Sequence, residues 1–449
     1  MALRIAGQRG AARPHLPLAE ILAELGDQDE RLDVLSASDD ETTSVRAVFA
    51  WSYRGLSPER QLLFRRLGLH PGTDITGYAA AALTDTTPSW ARRALEALAD
   101  IHLVEAFGPD LYRVHDLLRA YALERAETDD TREDRHAALR RLHAFYLHTS
   151  DAADRRLVIR NRHSPDAAPV PPHVPAFTTD EQARDWLRVE YSNLLAVVGH
   201  AADMGMHDLA WQISATMFAT LDRLGHRNDW LITIQTGLAS TRKLSDRVGE
   251  FTMLRAMVAP LTSLRRFDEA IDCGQQALNI ARDAGEPADE ASALDNLGGA
   301  YFEAGQRSAA ADCYQASLDI QEEVGNDWAA AISQNRLGEV HRDRRRFDNG
   351  IDCHRRALKT FRAHQDLTRE GWTLRLLGDA HLALGQFDQA IDYQTQAVAV
   401  LQGPRSLDEM ARALCTLGDA LEATGERRQA REHWSEPLTI FESCRLDRK

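Results

Sequence analysis

Ala293-Leu294-Asp295-Asn296-Leu297-Gly298-Gly299-Ala300-Tyr301-Phe302 decides the fold, because its central pair returns three more times. Leu297-Gly298 is followed by Leu337-Gly338, Leu377-Gly378 and Leu417-Gly418, 40 residues apart each time. Ala270, Ala310, Gly350, Ala390 and Ala430 keep the same period, which sets five units over residues 251–447. Each unit predicts two amphipathic helices, since apolar residues fall at three- and four-residue steps on either side of a polar turn at Gly305, Gly385 or Gly425. Gly and Ala at fixed positions let the two helices approach closely. One pair cannot bury both of its faces, so stacking supplies the core and the array is expected to grow as a superhelix with a concave surface.

These residues resemble the tetratricopeptide family: Leu-Gly in the first helix, a large residue such as Tyr301 three positions later, and Ala270 with Ala277-Leu278 in the second. The usual proline after the second helix is missing, and the period is 40 where the family has about 34. Longer second helices or connectors are expected. In this family certain first-helix positions line the concave groove. The resemblance places Asp295, Phe302, Glu303, Asn335, Glu339, Arg342, Trp372, Arg375, Asp379 and Asp419 there. Acids outnumber arginines at the groove positions, so an acidic groove with Phe302 and Trp372 as apolar anchors is expected. It would suit a protein partner or peptide that carries basic residues.

Upstream, residues 180–250 repeat Trp186, Leu187, Leu194, Leu195, Trp211, Leu221 and Trp230 on apolar faces, the pattern of degenerate helical pairs. Residues 164–179 hold Pro165, Pro169, Pro171, Pro172 and Pro175, which cannot continue a helix and predict an extended linker between two folding units. A helical connector over 129–163 precedes it. Residues 44–128 predict a winged helix. Helices cover Val45–Tyr53, the run opened by Ser57-Pro58-Glu59, Tyr78–Leu83 and a run starting at a Ser89 cap. Ile101–Phe107 and Leu111–Val114 then flank Gly108-Pro109-Asp110 as a two-stranded wing, and His115 opens the last helix. The expected class is all-α: a winged-helix module with one small β-hairpin, followed by the tetratricopeptide solenoid.

The order of these parts resembles the NB-ARC family of STAND nucleotide-switch proteins, in particular the actinobacterial regulators of the AfsR/SARP type that end in tetratricopeptide arrays. Val114-His115-Asp116 looks like that family's Met-His-Asp motif, and Ala2-Leu3-Arg4-Ile5-Ala6 looks like the stretch just after its Gly-Leu-Pro-Leu motif. The resemblance implies that His115, oriented by Asp116, contacts the β-phosphate of bound ADP. A P-loop needs Gly-x-x-x-x-Gly-Lys-Ser/Thr to cradle phosphates. Of the three lysines only Lys359 precedes Ser or Thr, and Leu358 stands where glycine is required. The chain is therefore expected to begin inside the helical part of such a module, with residues 1–43 as its remnant. No cofactor is expected, and ADP or ATP would enter only with an upstream P-loop domain. Catalysis is not expected either.

A formal charge of -15 weighs against general affinity for phosphate backbones. The alternative of a DNA-reading winged helix would rest on Arg92 and Arg93, and the other alternative is an ADP-binding remnant. Charges interrupt the N-terminal stretch where a signal peptide needs apolar residues, and no later segment reaches ~20 apolar residues, so a cytoplasmic protein without a membrane partner is expected. Cys273, Cys313 and Cys353 share the period of 40 with Tyr393, which predicts a buried packing position. The reading that joins these observations is the interaction and sensor region of a STAND-type signalling or transcriptional regulator.

Overall fold

The computed structural model describes residues 45–157, 166–217, 227–402 and 407–446, which form twenty helices and three short strands. The expected remnant over 1–43, and Leu221, lie outside the described residues. No helix among the described residues is long and apolar enough to cross a membrane. Tertiary contacts divide the chain into two compact units, Met1–Met253 and Leu254–Lys449.

In the first unit α1 (Val45–Arg54) and α2 (Pro58–Leu67) are followed by β1 (Asp74–Thr76), α3 (Gly77–Thr84) and α4 (Pro88–Ala99). Strands β2 (Glu105–Gly108) and β3 (Leu111–Arg113) then lead into α5 (Asp116–Asp129). The sheet has three strands in the order β1-β3-β2, all antiparallel, where the sequence predicted two. Asp74-Ile75-Thr76 is too short to show alternation, and only Ile75 of the three is buried. Leu63, Phe64, Leu83, Leu95, Leu98 and Tyr112 fill the core of this module. The cap of α4 also differs from expectation. Thr87, not Ser89, caps it, with Thr87 Oγ1 accepting from the Trp90 N–H at 3.3 Å. Pro88 explains the shift, because its fixed φ and missing N–H suit the first helical position.

Helix α6 (Arg132–Leu157) is buried on every side from Leu142 to Ser150. It packs on α3 and on α7 (Asp180–Val189), α8 (Tyr191–Asp203) and α9 (His207–Thr216). The segment from Asp166 to His173 is no free spacer. Arg140 donates to Ala167 O at 3.1 Å, His148 Nε2 to Ala168 O at 2.8 Å, and Gln212 Oε1 accepts from the N–H groups of Asp166 and Ala167 at 3.0 Å each. Prolines lack the N–H a helix needs, but their neighbours' carbonyls are good acceptors, and α6 supplies the donors. Helices α10 (Arg227–Leu244) and α11 (Arg247–Ser263) follow, and the boundary between the units falls inside α11.

The second unit continues with α12 (Phe267–Ala284), α13 (Pro287–Glu303), α14 (Arg307–Glu323), α15 (Asp327–Asp343) and α16 (Phe347–Ala363). It ends with α17 (Leu367–Ala383), α18 (Phe387–Leu401), α19 (Leu407–Ala423) and α20 (Arg427–Leu446). Each helix packs on the next. First helices α13, α15, α17 and α19 are 17 residues long, as are second helices α14 and α16. The long period is thus shared by both helices of a pair rather than placed in the second or in the connectors. Ser245, Arg265, Gly285, Gly305, Gly325, Arg345, Gln365 and Gly385 all have positive φ and stand 20 residues apart. One left-handed residue follows each helix from α10 to α17, at both kinds of turn, and Gly205 keeps the same register upstream.

Candidate functional site

The first helices of the second unit carry the candidate face, and a single steric device organises it. The glycine of each Leu-Gly pair lies under the side chain 16 residues later, on the second helix. A Cβ at Gly298 would come within 2.7 Å of Tyr314, one at Gly338 within 2.6 Å of His354, and one at Gly378 within 2.5 Å of Gln394. Trp434 covers Gly418 in the same way. Because the glycine yields this space, a long side chain crosses it and brings a polar tip to the first-helix face. Gln394 Nε2 donates to Asp379 Oδ1 at 2.9 Å, and Trp434 Nε1 to Asp419 Oδ1 at 3.1 Å. His354 Nδ1 lies 2.8 Å from Asn335 Oδ1.

A ladder of polar contacts then joins each first helix to the next. Ser333 Oγ is 2.9 and 3.0 Å from the two oxygens of Asp295, and Asn335 Nδ2 donates to Thr373 Oγ1 at 2.7 Å. Arg375 pairs with Asp379 at 2.6 Å and with Glu409 at 2.5 Å, and Arg342 with Asp379 at 3.5 Å. The carboxyl of Asp295 lies inside although the residue as a whole is half-buried, and burial pushes its pKa up to about 6 against the pull of Arg336 and Ser333. Burial also raises Glu339, while Arg336, Arg342 and Arg375 pull it down. Arg336 keeps its charge despite burial, because Tyr314, Asp295 and Glu339 surround it.

The ten candidate residues therefore fall into two sets. Asn335 and Arg375 are buried, Asp295, Arg342 and Asp379 are bonded within the ladder, and Glu339 feels the charges of Arg336, Arg342 and Arg375. Glu303 and Asp419 are exposed, and Phe302 and Trp372 are half-buried. Arg307 stands 4.2 Å over the Phe302 ring and Arg369 5.4 Å over Trp372, cations that the expectation of an acidic groove did not count. Sequence reasoning missed Tyr314, His354, Gln394, Trp434 and Arg336. A signal for the first four existed, since they recur 40 residues apart, but they share no chemical type.

In the first unit His115 is exposed and caps α5, with Nδ1 accepting from the Leu117 N–H at 3.3 Å. Asp116 is exposed beside it. Arg92 makes a two-pronged bond with Asp110, 2.9 Å on each arm, which raises its pKa. Asp110 also accepts from the Gly77 N–H at 3.1 Å, so Asp110 ties the β2–β3 turn to both α4 and α3. Arg93 is exposed.

A buried cluster that the sequence did not reveal lies nearby. Tyr146 donates to Glu190 Oε2 at 3.1 Å, so His70 Nε2, 3.0 Å from the same hydroxyl, must be the donor to it. His70 Nδ1 then accepts from the Gly72 N–H at 3.1 Å, and burial holds this neutral imidazole at a pKa of about 4. Asn193 and Thr76 donate to the Glu190 carboxyl, whose pKa burial raises.

Comparison with known proteins agrees with the repeat geometry. A tetratricopeptide repeat family model matches residues 251–323 and 329–403. Regulatory protein AfsR of Streptomyces griseus is 34% identical over 300 residues, 66% of this chain and 30% of that protein. Regulatory protein AfsR of Streptomyces coelicolor is 39% identical over 208 residues, 45% of this chain and 20% of that one. The chain thus spans less than a third of the length of either relative. Among solved structures, a STAND protein with a tetratricopeptide repeat sensor from Pyrococcus horikoshii is similar at 14% identity and a TM-score of 0.43, over 100% of this chain and 74% of that one. The apo form of RapI is similar at 12% identity and a TM-score of 0.46, over 59% and 96%. Over 66% of its own length this chain is a homologue of the AfsR regulatory proteins, and its second unit is built of tetratricopeptide repeats.

Proposed function

We propose that the chain is the partner-binding sensor region of a STAND-type signalling or transcriptional regulator, and that its repeats hold a protein segment against the first-helix face. The observation that carries this reading is the contrast along that face. Asp295, Arg342, Arg375 and Asp379 are bonded within the ladder, which ties the first helices to one another. Exposed Glu303 and Asp419 and half-buried Phe302 and Trp372 are left facing outward. Rigid anchors with a polar surround are what a binding surface needs, because little ordering remains to oppose association. A segment with basic residues near an apolar side chain fits the exposed acids and the two rings. The arginines over the rings restrict where such charges can sit. Relatives named as regulators support the regulatory half of this reading.

The test is the salt dependence of partner affinity. With a partner captured from cell extract on the wild-type chain, reversing the charge of Glu303 and Asp419 to Arg should weaken its binding at least tenfold at low salt and flatten its salt dependence. Unchanged affinity and slope would show that the partner engages another surface.

A further inference from the structure

The first unit contains a cavity of about 340 Å³ between α3, α6 and the proline segment. Tyr78 and Ala82 of α3, Phe145 of α6, and Val170 and Pro171 of the segment form its walls, and the Tyr78 and Phe145 rings lie nearly parallel, 11° apart. A space of this size with mostly apolar walls and few polar groups is the usual form of a small-molecule site. The proline segment is fixed over it by its bonds to Arg140, His148 and Gln212, so the roof is part of the fold.

Of the two arginines in the wall, Arg141 has no ion-pair partner among the described residues. Its Nε donates to Ala82 O at 3.1 Å and its Nη2 to Leu83 O at 3.2 Å, both carbonyls of the last turn of α3. Among the described residues no carboxylate stands within ion-pair distance of it. Arg66 donates to the same Leu83 carbonyl at 3.0 Å but has Asp130, and Asp130 serves Arg65 as well. Asp85, an exposed residue of the cavity lining, and Asp134 act on Arg141 through space only, and Arg66 opposes them. The dipole at the end of α3 offsets only part of a full positive charge. Nη1 of Arg141 makes no hydrogen bond to the described residues, and Arg141 lines the cavity. Arg140, the neighbouring cation, is already paired with Asp208 at 2.9 Å.

We infer that this cavity binds a small apolar carboxylate, with its apolar body between α3 and the proline segment and its carboxylate on Arg141. An arginine and a carboxylate form strong charge-assisted hydrogen bonds, and the apolar walls favour the ligand's apolar body over water. Such a ligand would bridge α3 of the winged-helix module to α6 and the proline roof, so binding would stabilise the first unit as a whole.

Decanoate, with decanol as its uncharged analogue, tests this on the full chain by titration calorimetry and thermal unfolding. Decanoate is expected to bind saturably with one site per chain and to raise the unfolding temperature, and decanol to bind at least tenfold more weakly. Ala82→Phe should fill the cavity and abolish binding while unfolding cooperatively. Arg141→Gln should lose at least tenfold in affinity, and Arg141→Lys should keep part of it, which separates loss of charge from loss of fold. Absence of saturable binding by the wild type, equal binding by Ala82→Phe, or equal affinity for decanol and decanoate would each overturn the inference.

Discussion

The glycine of each Leu-Gly pair has a steric task. Gly378 is where Gln394 crosses between helices on its way to Asp379, and an added methyl group would meet that side chain and not open space. Gly378→Ala is expected to destabilise the second unit by about 1–3 kcal/mol, the usual cost of overpacking a filled site. At Gly199, in the middle of α8, an added Cβ would have no neighbour within 4 Å. There the same substitution should stabilise by up to about 1 kcal/mol, because alanine loses less backbone entropy in a helix. Chemical denaturation of both variants checks the pair, and destabilisation of similar size at both sites would contradict the steric account. The sequence displayed these glycines plainly through their period. It hid their partners, because Tyr314, His354, Gln394 and Trp434 share a position and a size but no chemistry.

Successive first helices are joined by polar rungs, and the rung between α13 and α15 gives a measurable pH signature. Asp295 has a folded pKa of about 6 against an ordinary value of 3.8. Between those values the folded chain holds a proton that the unfolded chain has released. The stability this carboxyl contributes is therefore complete below about pH 3.8 and is lost as pH rises through about 6. Asp295→Asn removes the titration while keeping an acceptor for Ser333. The stability of the variant relative to wild type should rise as pH increases from about 4 to about 7, and an equal difference at both ends would show that the carboxyl is not buried in this way. Elements of this kind were legible in outline. Helix positions follow from apolar spacing, but β1 was not legible, since three residues with one buried side chain carry no periodic signal. The cap at Thr87 was missed because Ser89 has the same chemistry and Pro88 decides between them.

At the scale of the molecule, two compact units divide at Met253 and Leu254, inside a helix and far along the chain from the prolines that suggested a boundary. Proline content predicts where a helix cannot run. It does not predict whether the extended chain stays in solvent, which depends on donors such as Arg140 and His148 that come from elsewhere in the sequence. At the candidate face the sequence sets arginines such as Arg342 and Arg375 against the acids, and it does not single out Arg307, Arg336 and Arg369, which stand beside the face from other positions. The groups left outward on that face are two rings and exposed acids, and these are proposed to hold a protein segment.

The direct measurement is the affinity of the captured partner for the wild-type chain, for Phe302→Ala with Trp372→Ala, and for Arg355→Glu, a charge reversal at an exposed site on second helix α16. The account predicts at least a tenfold loss for the paired ring variant, with its fold retained, and no change for Arg355→Glu. Retained affinity in the ring variant together with a loss in Arg355→Glu would place the partner on the second helices and contradict the account.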